Sequence, residues 1–153
     1  MPVKDFYPFE PPDATGLSLI PLHVRYKLDC AGVRLRLLQW QAMTPEEKGQ
    51  LLRLPVATLA DLDEYRAALG RMADRQGVAL LADEPGASKA DWRNADAWPA
   101  VVVRQCELQG SPLPPVLRWQ MLAEPDRHAL FVLARSNHSQ REFLEALALF
   151  FGR

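Results

Sequence analysis

The run Ile20–Leu54, IPLHVRYKLDCAGVRLRLLQWQAMTPEEKGQLLRL, decides the fold. Pro21 sits where a helix tolerates proline, in the first turn, because the missing N–H would have no intrahelical partner there. Ile20, Val24, Leu28 and Ala31 then recur at three- and four-residue spacing, which is one face of a helix. His23, Arg25, Lys27 and Asp29 fall on its flanks. Gly32 stops the helix, since glycine takes a left-handed backbone without steric cost. Val33-Arg34-Leu35-Arg36-Leu37 alternates apolar and charged residues, the period of a short strand. Trp40 and Met43 follow. Thr44-Pro45-Glu46-Glu47 is a helix start, with a hydroxyl cap, proline at the first position and a glutamate that closes a capping box. That helix stops at or before Pro55.

The same order of features returns downstream. Pro21, Val24 and Gly32 reappear at one constant offset as Pro99, Val102 and Gly110. After one inserted residue, Trp40, Gln41, Leu51 and Leu54 reappear as Trp119, Gln120, Leu130 and Leu133. Thr58 and Ser139 are each followed three residues later by an acid, Asp61 and Glu142, so both read as capped helix starts. Two units are too few for a solenoid. They predict a mainly α protein with a pseudo-twofold internal duplication.

Around this block the chain divides simply. Residues 1–19 hold Pro2, Pro8, Pro11 and Pro12 and read as an extended arm. Its Phe6, Tyr7 and Phe9 should lie on the domain, because burying a large apolar side chain gains about 1.5–3 kcal/mol. Residues 20–76 form a first helical unit, whose third helix turns Leu62, Tyr65, Leu69 and Met72 to one face before Gly77. Residues 77–97 read as a connector with one helical turn near Trp92. Residues 98–153 form a second helical unit. Its prolines 112, 114 and 115 permit an extended segment and argue against a central strand. The expected architecture is a single domain of about six or seven helices, with at most one short ribbon joining 33–37 to 112–117.

At 153 residues, 48% hydrophobic and 24% charged, the chain can bury one real core. A net charge of −1 gives no overall attraction to nucleic acid or an anionic membrane. No apolar run approaches the roughly 18 residues of a membrane span, and no apolar signal core opens the chain. The expectation is a cytoplasmic protein. Cys30 and Cys106 are far apart and read as buried free thiols.

Motifs of chemistry are scarce. No glycine-rich phosphate loop, nucleophile elbow, CxxC or HExxH occurs. His23, His128 and His138 are dispersed, and a metal site from His23, Cys30, Cys106 and His128 would need tertiary proximity. The acids Glu46, Glu47, Asp61, Asp63 and Glu64 lie in first helical turns, where they favour the helix dipole. No cofactor is expected. Trp40 and Trp119 read as core pillars, with a ligand- or partner-lining role as the alternative. The local charge bias is Arg25, Lys27, Arg34 and Arg36, with Asp29 beside them, a candidate docking patch for an acidic partner.

The arm Tyr7-Pro8-Phe9-Glu10 and the positions Ile20, Pro21, Val24, Arg25, Lys27, Leu28, Asp29, Gly32 and Trp40 resemble the nitrate-reductase-associated protein family. The family arm opens on phenylalanine, and Tyr7 keeps only its aromatic character. The resemblance implies a small cytoplasmic factor linked to nitrate reductase activity or maturation, without catalysis of its own. Nitrate reductase is then the expected partner, met through Arg25, Lys27, Asp29, Arg34 and Arg36. A small-molecule sensor with a pocket between the two units, near Trp40 and Trp119, is the alternative. Charge reversal at Arg25 and Lys27 is expected to leave folding nearly intact.

Overall fold

The structure is a computed structural model and describes residues 6–82, 89–136 and 138–152, with only the backbone of residues 89 and 90. The parts of the arm and connector at residues 1–5 and 83–88, and Asn137, lie outside the described residues. The chain forms two compact units, Met1–Ala87 and Ser88–Arg153.

The first unit runs α1 (Pro12–Thr15), α2 (Leu22–Ala31), β1 (Val33–Arg34), α3 (Leu37–Gln41), α4 (Pro45–Arg53), α5 (Leu59–Gln76) and β2 (Leu81–Ala82). Helix α2 packs on α4 and α5. Its predicted face is the one that goes inside: Val24, Leu28 and Ala31 are buried with Trp40, Met43, Leu51, Tyr65, Leu69 and Met72. Ile20 is half-buried against them. Gly32 ends α2 at φ 73° and Gly77 ends α5 at φ 72°, the left-handed cap each position requires. Thr44 caps α4 as predicted: its hydroxyl accepts from Glu47 N at 3.1 Å while its own N–H donates to Glu47 Oε1 at 2.9 Å. Thr58 and Asp61 repeat the box at α5. Arg75 on α5 donates to both carboxylate oxygens of Glu47, at 2.6 and 2.9 Å. That hydrogen bond holds the Glu47 carboxyl below its ordinary pKa.

The second unit runs α6 (Lys89–Arg93), α7 (Ala100–Gln109), α8 (Val116–Gln120), α9 (Glu124–Arg135) and α10 (Gln140–Phe151). Helices α6, α7 and α10 all pack on α9. Helix α9 carries an apolar run after His128 and is buried on most sides, including Ala129, Leu130, Phe131, Leu133 and Ala134. Arg127 and His128 go inside with them. Arg127 donates to the carbonyls of Trp92 and Leu122 at 3.0 and 2.7 Å, and the His128 ring meets Trp92 edge-on at 4.9 Å. Trp98 donates to the Pro114 carbonyl at 3.0 Å, which ties down the extended proline segment. Pro99 N-caps α7 and Gly110 ends it, as Pro21 and Gly32 do for α2. A ten-residue helix, a left-handed glycine, a five-residue helix carrying tryptophan and two further helices thus occur in that order in each unit.

Several expectations need correction. The ribbon exists, but β1 pairs antiparallel with β2, Val33 opposite Ala82 and Arg34 opposite Leu81. Residues 112–117 take no part, since three prolines there remove backbone donors. The arm is not extended throughout: Pro12 starts a helical turn at the first position proline tolerates. The latter part of the connector belongs to the second unit's core, for Trp92 on α6 is buried. Ser139 makes no cap hydrogen bond. Its hydroxyl meets Ser136 Oγ at 3.0 Å, and Glu142 pairs with Arg141 instead. Of the ten helices among the described residues, six have nine residues or more, which matches the expected six or seven. The other four are of four or five residues, too short to show a period.

Candidate functional site

The five residues singled out by charge lie along one stretch of the first unit, from the start of α2 to the start of α3. Two anchors set that stretch. At its beginning the arm folds back. Phe9 is buried, Tyr7 stacks on Phe9 at 5.0 Å and on His23 at 4.6 Å, and the Glu10 carboxylate closes the turn. Glu10 Oε1 accepts from Tyr7 N at 2.8 Å and Oε2 from Leu22 N at 3.1 Å. Leu22 is the first residue of α2, and Pro21 before it has no side chain that can cap. Glu10 therefore satisfies a helix N-terminus from twelve residues away. Burial pushes its carboxyl above the ordinary value, against the opposing pull of both N–H groups and the Arg25 charge.

The second anchor is Leu17. Its φ of 67° is left-handed, a conformation that costs a side-chain-bearing residue about 1–2 kcal/mol. Its carbonyl accepts from the Trp40 indole at 2.9 Å and from Lys48 Nζ at 3.0 Å. These two bonds, one of them charged, offset the strain and clasp the end of the arm onto α3 and α4.

On this frame the five residues separate. Arg25 is exposed near the start of α2, close enough to Glu10 for its charge to be felt there. Asp29 is half-buried in the last turn of α2. Lys27 turns inward. Its Nζ donates to the Leu52 and Leu54 carbonyls, both at 2.6 Å, at the C-terminal end of α4, where a cation satisfies orphan carbonyls and the helix dipole. Arg34 is exposed on β1, and Arg36 is exposed at the N-cap of α3, its backbone N–H donating to Gln39 Oε1 at 3.0 Å. Arg25 thus stands at one end of α2, and Arg34 and Arg36 lie beyond the other.

Beside Arg36 lies an open groove of about 400 Å³, lined by Arg36, Leu38, Gln39, Val78, Ala79 and Leu81. Leu38 leaves 78% of its surface in water and Val78 43%. Gln76 Nε2 donates to the Gln39 carbonyl at 3.0 Å and so ties α3 to the end of α5. Sequence reasoning missed this groove. The signal was there in Leu37-Leu38, two apolar residues that the buried face of a short helix carrying Trp40 leaves in water.

Trp40 and Trp119 are core pillars, with no exposed surface. The Trp119 indole donates to the Asn94 carbonyl at 2.9 Å, inside its own unit, as Trp40 does to Leu17. Both cysteines are free thiols; Cys106 is buried, and burial raises its pKa away from thiolate reactivity, while Cys30 is only half-buried. Among the described residues no three His, Cys, Asp or Glu side chains gather into a metal-binding group. No described helix is long and apolar enough to cross a membrane. What the first unit offers is a braced surface carrying arginines and an apolar groove.

A family model described as conserved nitrate reductase-associated protein matches residues 6–150. No curated protein and no solved structure matches the chain.

Proposed function

Because the chain belongs to the nitrate-reductase-associated protein family, we propose that it is a non-catalytic accessory factor for assimilatory nitrate reductase, acting in the cytoplasm by protein–protein contact during assembly, maturation or electron delivery. The observation that carries this reading is the family match across residues 6–150. Its physical support is the arginine-bearing surface of the first unit, held by the Glu10 and Leu17 anchors. Arg25, Arg34 and Arg36 are the residues proposed to meet an acidic partner surface. Asp29 flanks them, and Lys27 contributes charge while bracing α4.

The alternative of a ligand pocket near Trp40 and Trp119 has less support. Both rings lack exposed surface, and both indole N–H groups are committed to backbone carbonyls.

The test is capture of purified nitrate reductase on the immobilised chain. Capture should fall as salt rises, since contacts between exposed charges are screened. Arg25→Glu combined with Arg36→Glu should weaken it while lowering the melting temperature by no more than a few degrees, as exposed charges contribute about 0–1 kcal/mol each. Undiminished capture by this folded double variant, or none by the wild type, would overturn the proposal. Deletion of the gene, followed by nitrate reductase activity and cofactor-content assays, extends the test to the cell.

A further inference from the structure

The groove beside Arg36 calls for an occupant of particular chemistry. Its walls come from α3 and from the segment between α5 and β2. Leu38 and Val78, one from each of these segments, line it and present apolar surface to water, and Leu81 and Ala79 line it with them. The polar residues of the lining are Gln39 and Arg36. The lining holds one cation, Arg36, and no carboxylate. An apolar trough with a cationic rim suits a chain segment that brings one large apolar side chain and flanking acids.

We propose that this groove binds a short acidic segment of a partner protein, with a large apolar residue seated between Leu38 and Val78 and a carboxylate on Arg36. The inference rests on the docking reading above and gives it an anchor point. Arg36 belongs both to the proposed arginine surface and to the groove, so a partner would reach one by way of the other.

The test uses the full chain and three synthetic dodecapeptides, followed by amide chemical shifts. In the first a central Leu-Phe pair is flanked by aspartates and glutamates. The second carries lysines in place of the acids, and the third serines in place of Leu-Phe. The acidic apolar peptide should shift the amides of residues 36–39 and 78–81 saturably. Each of the other peptides should bind at least about tenfold more weakly, and Leu38→Asp and Arg36→Glu should each lose about tenfold for the first. Leu38 and Arg36 are exposed, so both variants should keep the wild-type melting temperature. No saturable shift in the groove, equal affinity for the lysine peptide, or unchanged affinity in Leu38→Asp would each overturn the inference. Failure of the underlying reading looks different. If nitrate reductase is captured in a salt-dependent way while the peptide shifts nothing in the groove, the groove falls and the docking reading stands. If the peptide fills the groove and nitrate reductase is never captured, the groove stands and its assigned partner falls.

Discussion

Glu10 and Lys27 close the two ends of the arrangement around α2 and carry predictions that spacing alone could not give. Glu10→Ala removes the carboxylate that caps Leu22 and Tyr7, and should cost about 0.5–2 kcal/mol in chemical denaturation, the usual range for a lost cap. Glu10→Gln probes the charge. Burial raises the Glu10 pKa above 4.5, so the folded chain keeps this proton where the unfolded chain has released it. The proton favours the folded state at low pH, and that contribution fades as pH climbs through the folded pKa. Glutamine does not titrate. The melting temperature of Glu10→Gln should therefore gain on that of the wild type from about pH 4 to about pH 7; a gap that moves the other way would refute the burial argument. Lys27→Met should cost about 1.5–3 kcal/mol, because two carbonyls at the end of α4 lose a charged donor. Here the sequence-based expectation that reversing Lys27 spares the fold is corrected. The two-residue spacing from Arg25 shows that the side chains diverge. It does not reveal carbonyls 25 and 27 residues further on. Arg25→Glu remains the cleaner probe of docking.

At the scale of the element, local rules read well where the partners were local. Thr44-Pro45-Glu46-Glu47 named a helix start, and the cap is present with both of its hydrogen bonds. Thr44→Ala should cost about 1 kcal/mol. Ser139→Ala, at a position with the same sequence signature, should cost only a few tenths, because Ser139 bonds Ser136 and caps nothing. Equal losses at the two positions would show that the signature, and not the geometry, governs stability. The ribbon shows where local reading ends. Alternation in 33–37 marks a strand and leaves its partner unnamed, and 78–82, VALLA, has no alternation to mark the other half. The apolar groove was hidden for the same reason: Leu38 and Val78 are forty residues apart in the chain, and only the packing of α3 against the end of α5 makes them neighbours. Charge, by contrast, was legible as composition, which is why the arginines were found and their separation along α2 was not.

At the scale of the whole molecule, each unit buries a tryptophan whose indole is bonded to a backbone carbonyl of the same unit, Trp40 in the first and Trp119 in the second, where Trp92 is buried as well. Trp40→Ala and Trp119→Ala should each destabilise by about 3–5 kcal/mol, the range for deleting a buried aromatic ring. Urea unfolding followed by far-ultraviolet circular dichroism measures both, and a variant that melts with the wild type would show that its ring is dispensable to the core. Four of the bonds that hold the first unit close within it: Trp40 to Leu17, Lys27 to Leu52, Tyr65 to Leu51, Arg75 to Glu47. This has a consequence for synthesis. Mainly helical domains fold in microseconds to milliseconds. A ribosome adding about 5–20 residues per second needs seconds to make the second unit. If the first unit folds without the second, it has time to complete its core while the second is still being translated.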